Sequence, residues 1–346
     1  RGKSVEMPVF IRYFAHNKEL NHDLVTKSLN QESANEYMDI YKVEIKDFYR
    51  TGGWNIENPR KIRLKEKLEK DSTKVLNFVD YIFQGIASGK DEVFYVNEET
   101  IKNYNLEREL LYKLIKGKDI KRYKNNWSGN YVIYPYDKYT NKVIKEQELK
   151  DKYHNIWKYF SLNKYKLSGR EYFNNSSKIW YELWNERVIR KFLNSKILVS
   201  EIAPETRFYL DRDGYFFNTK IFGIKPKELY MDYEYTFLAL FNSNLIDFYH
   251  KQISVPKAGG FYEYKTQFIG EYPIKEKIFS FNEELKTLTT EIILLEEGKD
   301  ALKSDPNRLS IVNSKIETLL REINGIVYEA YDLDPKDIAL LEEKDS

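Results

Sequence analysis

YIFQGIASGKDEVFYV, residues 81–96, contains a glycine-spaced turn that ends in Gly-Lys. The phosphate-binding P-loop has the pattern G-x-x-x-x-G-K-[ST], but here only three residues separate Gly85 from Gly89, and Asp91 replaces the Ser or Thr that would hold magnesium. The run from Val93 to Val96 predicts a strand, whereas a P-loop requires a helix N-terminus at this point. The stretch therefore predicts a glycine turn that leads into a strand, and not a nucleotide site.

The composition limits the class of protein. The 346 residues suggest two domains at about 100–200 residues each. Cysteine is absent, which excludes disulfides and thiolate metal sites and predicts a cytoplasmic location. Four scattered histidines form no His-x-x-x-His pair, so a histidine metal site is not expected. No apolar run approaches about 18 residues, so we expect no contact with a membrane.

Charge is distributed unevenly along the chain. Residues 113–196 hold 20 Lys+Arg against 8 Asp+Glu, whereas residues 271–346 hold 10 against 18. The middle section therefore carries a net charge of +12 and the C-terminal section one of −8, although the whole chain carries only +2. A solvated lysine-rich surface would explain such a composition, but clustering in one section with interleaved aromatics favours a nucleic-acid partner.

Hydrophobic periodicity predicts an α+β fold: a small mixed β-sheet domain with long helices, followed by a C-terminal helical hairpin. From residue 281 the pattern is helical, and its apolar stripe from Leu309 to Val327 is expected to pack on the preceding domain or on the helix at 285–295. The sequence Asp211-Arg-Asp-Gly214 predicts a β-hairpin. The expected strands are 4–14, 42–49, 93–96, 131–134, 196–200, 207–210 and 215–222. Asn58-Pro59 is expected to start the first helix, which includes 61–68, and the other expected helices are 106–116, 143–167, 176–193 and 231–252.

The sequence lacks the common catalytic motifs. It has no Asn-Pro-Pro-Tyr loop, no Gly-x-Gly nucleotide loop and no Gly-x-Ser-x-Gly elbow. Asp39 with Glu44 and Lys46 fits the spacing of a magnesium-dependent nuclease loosely, but Glu-x-Lys strings recur by chance in a chain so rich in these residues. We therefore predict no catalytic residue and no metal site.

Several segments, taken in order, point to one known family. They are Phe83–Phe94, Lys116–Tyr123, YVIYPY at 131–136, Trp180–Leu183 before Lys196–Leu198, Leu238–Phe248, Tyr272–Ile274 and Ile323–Leu333. Together they resemble the TaqI-like C-terminal specificity domain, the target-recognition part of type II restriction–modification enzymes and related adenine-specific DNA methyltransferases. The resemblance runs over about residues 54–346. Ser88 departs from the family pattern, which usually has Thr there.

The resemblance implies that chemistry lies outside these residues. It predicts a methyltransferase remnant and linker at 1–53, a target-recognition domain at 54–275 and a helical segment at 276–346. It implies double-stranded DNA as partner and an upstream catalytic domain of the same polypeptide that uses S-adenosylmethionine, with or without a nuclease domain; no cofactor is expected in this chain. One alternative is the specificity part of a phage-exclusion methyltransferase. Another is a helical scaffold whose acidic helices dock a partner subunit.

Basic residues next to aromatic and amide side chains give the candidate DNA contacts, because phosphates are held by Lys and Arg and adenine edges pair with amides. Each group has a structural alternative: a solvated helix end, an Asn-rich turn or a helix stop. Trp180 and Trp184 are expected on one face of a helix, in the core. The predicted contacts are Lys90, Lys116, Lys118, Lys121, Arg122, Tyr123, Lys124 and Trp127, then Arg170, Asn174, Asn175 and Lys178, and finally Lys257, Gly259, Gly260 and Tyr262.

Overall fold

The fold is taken from a computed structural model, which describes residues 9–14, 38–43, 49–50, 53–54, 58–173 and 176–343. The chain divides into two compact units. One comprises residues 1–71 together with 333–346, and the other comprises residues 72–332. The predicted strands at 4–14 and 42–49 are described only in part.

The strands are short, and most lie in the larger unit. In chain order they are β1 Val9–Phe14, β2 Met38–Val43, β3 Tyr49–Arg50, β4 Gly53–Trp54, β5 Thr73–Lys74, β6 Val79–Gln84, β7 Tyr95–Asn97, β8 Leu111–Ile115, β9 Ile120–Lys121, β10 Lys124–Asn125, β11 Asn130–Ile133, β12 Lys196–Ser200, β13 Ile202–Ala203, β14 Phe208–Asp211, β15 Phe216–Phe217, β16 Ile221–Pro226, β17 Pro256–Lys257, β18 Phe261–Glu263 and β19 Pro273–Ile274.

The helices are short until the C-terminal section. They are α1 Pro59–Glu69, α2 Asp91–Phe94, α3 Glu98–Tyr104, α4 Glu146–Lys152, α5 His154–Leu162, α6 Lys164–Ser168, α7 Ile189–Leu193, α8 Glu234–Phe241, α9 Asn244–Ile253, α10 Thr266–Ile269, α11 Asn282–Gly298, α12 Pro306–Ala330 and α13 Pro335–Glu342. None of the helices within the described ranges has both the length and the apolar character needed to cross a bilayer.

Two four-stranded sheets form the centre of the larger unit. The first has the order β15-β8-β11-β7 and is mixed, because β15 runs parallel to β8 while the other pairs are antiparallel. The second has the order β14-β12-β16-β6 and is antiparallel throughout. These sheets and the surrounding helices confirm the predicted α+β class with a small mixed sheet.

An aromatic-rich core joins the two sheets. Phe192 stacks on Phe216 with 4.2 Å between ring centroids and meets Phe217 edge-on at 5.0 Å. Phe83 of β6 packs against Phe217 of β15 at 5.2 Å. All four rings are buried. Such rings bury much apolar surface, so this cluster stabilises the packing of the first sheet against the second.

Gly85 is required where β6 approaches the end of β15. A Cβ atom placed there would lie 2.2 Å from the backbone oxygen of Phe217 and 2.3 Å from that of Asn218. Backbone oxygens have little room to move, so the close approach of these two segments needs glycine. The first glycine of the opening stretch is therefore a packing residue.

Several predicted elements are wrong, and tertiary pairing explains most of the differences. The expected helix 106–116 contains strand β8, which pairs with β11. The expected hairpin at 211–214 does not form, because β14 and β16 both pair with β12 while β15 joins the other sheet. The strand expected from Val93 begins only at Tyr95, after the helical turn α2.

Predicted long helices are also interrupted. Residues 143–167 form α4, α5 and α6 in place of one helix, and within 176–193 only α7 is helical. The predicted helix 231–252 is divided between α8 and α9, with Ser243 as the N-cap of α9. Trp180 and Trp184 consequently lie outside helices; Trp180 packs on Trp157 at 5.5 Å, whereas Trp184 is 37% exposed.

The predicted C-terminal helical hairpin is confirmed. Helix α11 packs against both α12 and α8, so the hairpin lies on the rest of the larger unit. Ile316, Leu319 and Ile323 of α12 are buried, as the apolar stripe predicted, while Leu309 is only partly buried. Thr236 of α8 donates a 2.7 Å hydrogen bond to the Asn282 side chain at the start of α11.

In the smaller unit, helix α1 begins where the sequence predicted. Asn58 caps its N-terminus by accepting from the Arg60 amide at 3.0 Å, and Pro59 occupies the first helical position. Lys67 of α1 forms an ion pair with Asp337 of α13.

Candidate nucleic-acid interface

The turn at 85–90 has no free cradle of amides for a phosphate. Its first three amides donate to backbone carbonyls of neighbouring segments: Gly85 to Ile221, Ile86 to Phe217 and Ala87 to Asn185. Ser88 accepts from the Lys90 amide at 3.0 Å and donates to Asp91. Because these donors are already used within the protein, the geometry agrees with the rejection of a nucleotide site.

A basic cleft of about 360 Å³ lies in the larger unit, where residues 117–121 meet residues 200–220 and 261. Its walls come from the β8–β9 connection, from β12 and β13, from the start of β14, from the turn before β16 and from the β17–β18 hairpin. It is lined by Gly117, Lys118, Ile120, Lys121, Ser200, Glu201, Ile202, Ala203, Pro204, Arg207, Lys220 and Phe261. Four cations therefore surround one carboxylate, a charge balance that attracts a polyanion.

Two of the four cations are balanced by neighbouring carboxylates. Lys220 pairs with Glu201 at 2.9 Å, and Arg207 pairs with Glu205 at 3.0 Å. Lys118 and Lys121 differ, since both are exposed and neither side chain has a hydrogen-bond or ion-pair partner among the residues that the structure describes. Their ammonium groups are thus the cations of the cleft best placed to hold phosphates.

The turn that carries Lys118 is braced on both sides. The Asp119 carboxylate is 3% exposed and accepts from the Lys116 amide at 2.8 Å and from the Ser128 hydroxyl at 3.2 Å. Ser200 of β12 donates to the Gly117 carbonyl at 2.5 Å. These bonds fix the backbone at 116–119, so Lys118 projects from a rigid support.

On the opposite wall is a small three-stranded sheet, β13-β18-β17. The β17–β18 turn contains Gly259 and Gly260, both with positive φ (79° and 75°), a conformation that favours glycine. Lys257 is ion-paired with Glu263 across the hairpin at 2.8 Å. Tyr262 is half-buried, and Lys251 Nζ lies 6.0 Å from its ring centroid.

Three further residues of the predicted basic segment have structural roles. The Arg122 guanidinium donates to the Asn242 carbonyl, and its Nε is buried. Tyr123 is buried with a φ of 63°, and burial raises the pKa of its hydroxyl to about 12. Trp127 donates from Nε1 to the Asn130 carbonyl at 2.8 Å, while Lys113 Nζ lies 5.0 Å from its ring centroid. None of these three residues lines the cleft.

Two other predicted cations near this segment are engaged within the protein. Lys124 forms an ion pair with Asp300 at 2.7 Å. Lys116 is half-buried and donates to the Asn130 side chain at 3.3 Å. Lys90 lies 3.7 Å from Glu92 and does not line the cleft.

Arg170 was predicted to contact DNA, but its surroundings assign it a structural role. The side chain is 4% exposed and stacks on Phe173 at 3.6 Å. Its guanidinium donates to four backbone carbonyls, those of Leu167, Ser88, Glu182 and Trp180, at 2.7–3.0 Å. The Arg170 side chain therefore connects the end of α6 to the turn at 85–90 and to the loop at 180–182.

Lys178, the other cation of that predicted group, does not line the cleft either. Lys178 is ion-paired with Glu186 at 2.5 Å and lies 3.8 Å from Glu182. Asn174 and Asn175 lie outside the described residues.

Three residues that line the cleft, Arg207, Lys220 and Phe261, were not among the predicted contacts. Arg207 and Lys220 lie outside the basic section at 113–196, and only the fold brings them to the cleft. Phe261 directly follows the predicted pair Gly259 and Gly260.

No metal centre is evident in the part of the chain that the structure describes. There, no group of three or more His, Asp and Glu side chains is arranged to hold an ion. Glu44 and Lys46 of the loosely matching nuclease string fall outside the described ranges, as does the Asp39 side chain.

Comparison with known proteins places this cleft in a family context. The model of the TaqI-like C-terminal specificity domain matches residues 112–274, a range that contains every residue lining the cleft. Type II methyltransferase M.MjaIV of Methanocaldococcus jannaschii is 26% identical over 259 residues, which is 71% of this chain and 77% of that protein. Type II methyltransferase M.BanIII of Aneurinibacillus aneurinilyticus is 22% identical over 244 residues, which is 68% of this chain but only 42% of that protein.

A solved structure shares the fold. The Type IIL restriction-modification enzyme MmeI, solved in complex with DNA, superimposes with a TM-score of 0.51 at 10% identity, and the match covers 89% of this chain and 39% of MmeI. The chain thus spans less than half the length of M.BanIII and of MmeI. Residues 112–274, just under half of the chain, therefore match the TaqI-like C-terminal specificity domain.

Proposed function

We propose that this chain is the DNA target-recognition module of a type II adenine-N6 methyltransferase or restriction–modification enzyme. The observation that carries the proposal is the basic cleft. In it, Lys118 on the rigid turn at 116–119 and Lys121 in β9 present ammonium groups that have no ion-pair partner among the described residues. Ammonium groups of this kind neutralise phosphates and release counterions, which gives affinity for any duplex. The relatives and the MmeI–DNA complex support DNA as the occupant.

In this proposal methyl transfer belongs to an upstream domain of the same polypeptide. S-adenosylmethionine is the methyl donor expected for that domain. The glycine turn at 85–89 does not fit the cofactor, because its first three amides are bonded to protein carbonyls. The contribution of the present residues is to hold and orient the duplex so that its target base reaches the catalytic domain. A nuclease activity of the parent protein has no support from these residues.

A salt titration of duplex binding by the full chain tests the proposal. A recognition module should lose affinity log-linearly as salt rises, with a slope of about −0.9 for each phosphate neutralised. The alternative, a helical scaffold that docks a partner subunit through its acidic helices, predicts no binding to duplex DNA even at low salt. Absence of binding at the lowest salt used would therefore reject the DNA-recognition function.

A further inference from the structure

The small sheet β13-β18-β17 presents an apolar face beside Lys118 and Lys121. The register pairs Ile202 with Glu263 and Lys257 with Phe261, and residues paired across antiparallel strands point to the same side. Alternation along β18 places Phe261 and Glu263 on that same side. Ile202 is 46% exposed and Phe261 is 39% exposed, and both line the cleft.

The charge on this face suits a polyanion. Glu263 would repel phosphates, but it is ion-paired with Lys257 at 2.8 Å and with Lys265 at 3.1 Å. These two lysines lower the pKa of Glu263, so the carboxylate stays ionised and paired. Lys257, Lys265 and Glu263 together therefore carry a net charge of +1 beside the apolar side chains of Phe261 and Ile202.

The tip of the hairpin is slender enough to enter a groove. Residues 255–261 are all exposed, and the turn consists of Ala258, Gly259 and Gly260. A Cβ at Gly260 would meet no atom within 4 Å, so open space surrounds the tip. The major groove of B-DNA, about 12 Å wide, admits a two-stranded β-ribbon, and an apolar side chain there meets the C5-methyl group of thymine.

We propose that the β17–β18 ribbon enters the major groove of the target duplex and that Phe261, flanked by Ile202, contacts the C5-methyl group of a thymine. Lys118 and Lys121 hold the phosphates beside it. This inference rests on the DNA-recognition function proposed above. It assigns base recognition to Phe261, whereas the lysines supply affinity without sequence preference.

The test starts with the full chain and a library of duplexes with a randomised centre, from which the preferred sequence is enriched. Each thymine of that sequence is then replaced singly by deoxyuridine, which removes only the methyl group. For the wild-type chain we expect one replacement to weaken binding about fourfold, the effect of a buried methyl group. For Phe261→Ala the same replacement should have no effect, and Phe261→Leu should restore part of the sensitivity.

Leu229→Ala is the matched control, because Leu229 is 79% exposed and does not line the cleft. It should leave the deoxyuridine sensitivity as in the wild-type chain. The inference is overturned if no sequence is enriched, if no thymine is sensitive, or if Phe261→Ala keeps the wild-type sensitivity. A wild-type chain that binds no duplex at low salt would instead reject the DNA-recognition function itself.

Discussion

Lys124 and Asp300 form an ion pair with 2.7 Å between Nζ and a carboxylate oxygen. The pair joins the most basic segment of the sequence to the acidic helical hairpin. Lys124 is 11% exposed at its side chain and also donates to the Glu296 carbonyl in the last turn of α11 at 3.0 Å, a position where a cation is favourable. One lysine of the basic segment therefore fixes the hairpin, while Lys121, its cross-strand neighbour, stays exposed.

We expect Lys124→Met to lower stability without changing the salt dependence of DNA binding. Lys124 and Lys303 together lower the pKa of the Asp300 carboxyl group to about 2. A carboxyl group with a depressed pKa stabilises the fold above its unfolded pKa, and this contribution is lost as pH falls through the folded value. In Lys124→Met, an NMR titration should therefore show a higher pKa for Asp300. Stability should then fall less on acidification, because the folded and unfolded pKa values of Asp300 differ less.

Lys121→Ala is the comparison for that variant. It should leave the pKa of Asp300 unchanged and reduce the salt slope by about one. A Lys124→Met chain with a reduced salt slope and an unchanged Asp300 titration would show that Lys124 contacts DNA and not the hairpin.

Gly85→Ala should destabilise the chain, because the new methyl group would lie 2.2 Å from the Phe217 oxygen. Overpacking of this kind costs about 1–3 kcal/mol, or more where backbone must move. Gly325→Ala is the matched control. Its Cβ meets no atom within 4 Å and it lies in helix α12, so alanine should add about 0.8–1 kcal/mol of stability. Urea unfolding of both variants measures the two effects, and similar stability for the two would contradict the packing role of Gly85.

His250 should make stability depend on pH in weakly acidic solution. The ring is buried, stacks on Tyr264 at 3.8 Å and contacts the Tyr272 hydroxyl at 2.9 Å. Burial lowers its pKa from 6.5 to about 3. Between these values the unfolded chain binds a proton that the folded chain does not, so stability falls as pH falls, by up to about 1.4 kcal/mol per pH unit from this group.

His250→Phe keeps the ring and removes this titration. Urea unfolding between pH 6.5 and pH 4 should show a smaller dependence of stability on pH for the variant than for the wild-type chain. The exposed His154 gives the control variant His154→Phe, whose dependence should match the wild-type chain. Equal slopes in His250→Phe and the wild-type chain would show that His250 titrates normally.

The sequence predicted the parts of the fold that local pattern determines. The cap at Asn58-Pro59 and the apolar stripe of α12 needed no tertiary information, and both are present. Strand β8 was missed because its residues also fit a helix, and only pairing with β11 decides between them. The hairpin expected at 211–214 is wrong because β14 pairs with β12 and β15 pairs with β8, and a local turn pattern does not show which strands pair.

For the candidate site too, the sequence predicted some of the residues, but only the fold shows how they are arranged. Charge clustering predicted Lys118 and Lys121 as contacts, and the glycine pair predicted contacts in the loop at 257–262. Nothing in the sequence showed that this loop is a β-hairpin or that it shares one cleft with the lysines. Nor did charge distinguish these lysines from Lys124 or Arg170, because exposure and partners are set by the fold. The predicted contacts at Asn174 and Asn175 and the predicted domain boundaries stay predictions.

The most direct test of the account is the salt dependence of duplex binding by Lys118→Ala/Lys121→Ala. The control variant, Lys138→Ala/Lys142→Ala, removes the same charge from exposed positions of the basic section that do not line the cleft. We expect the cleft variant to lose about two from the magnitude of the slope of log affinity against log salt, equally for all duplex sequences, and the control to keep the wild-type slope. An unchanged slope in the cleft variant, with or without a change in the control, would contradict the assignment of this cleft to DNA.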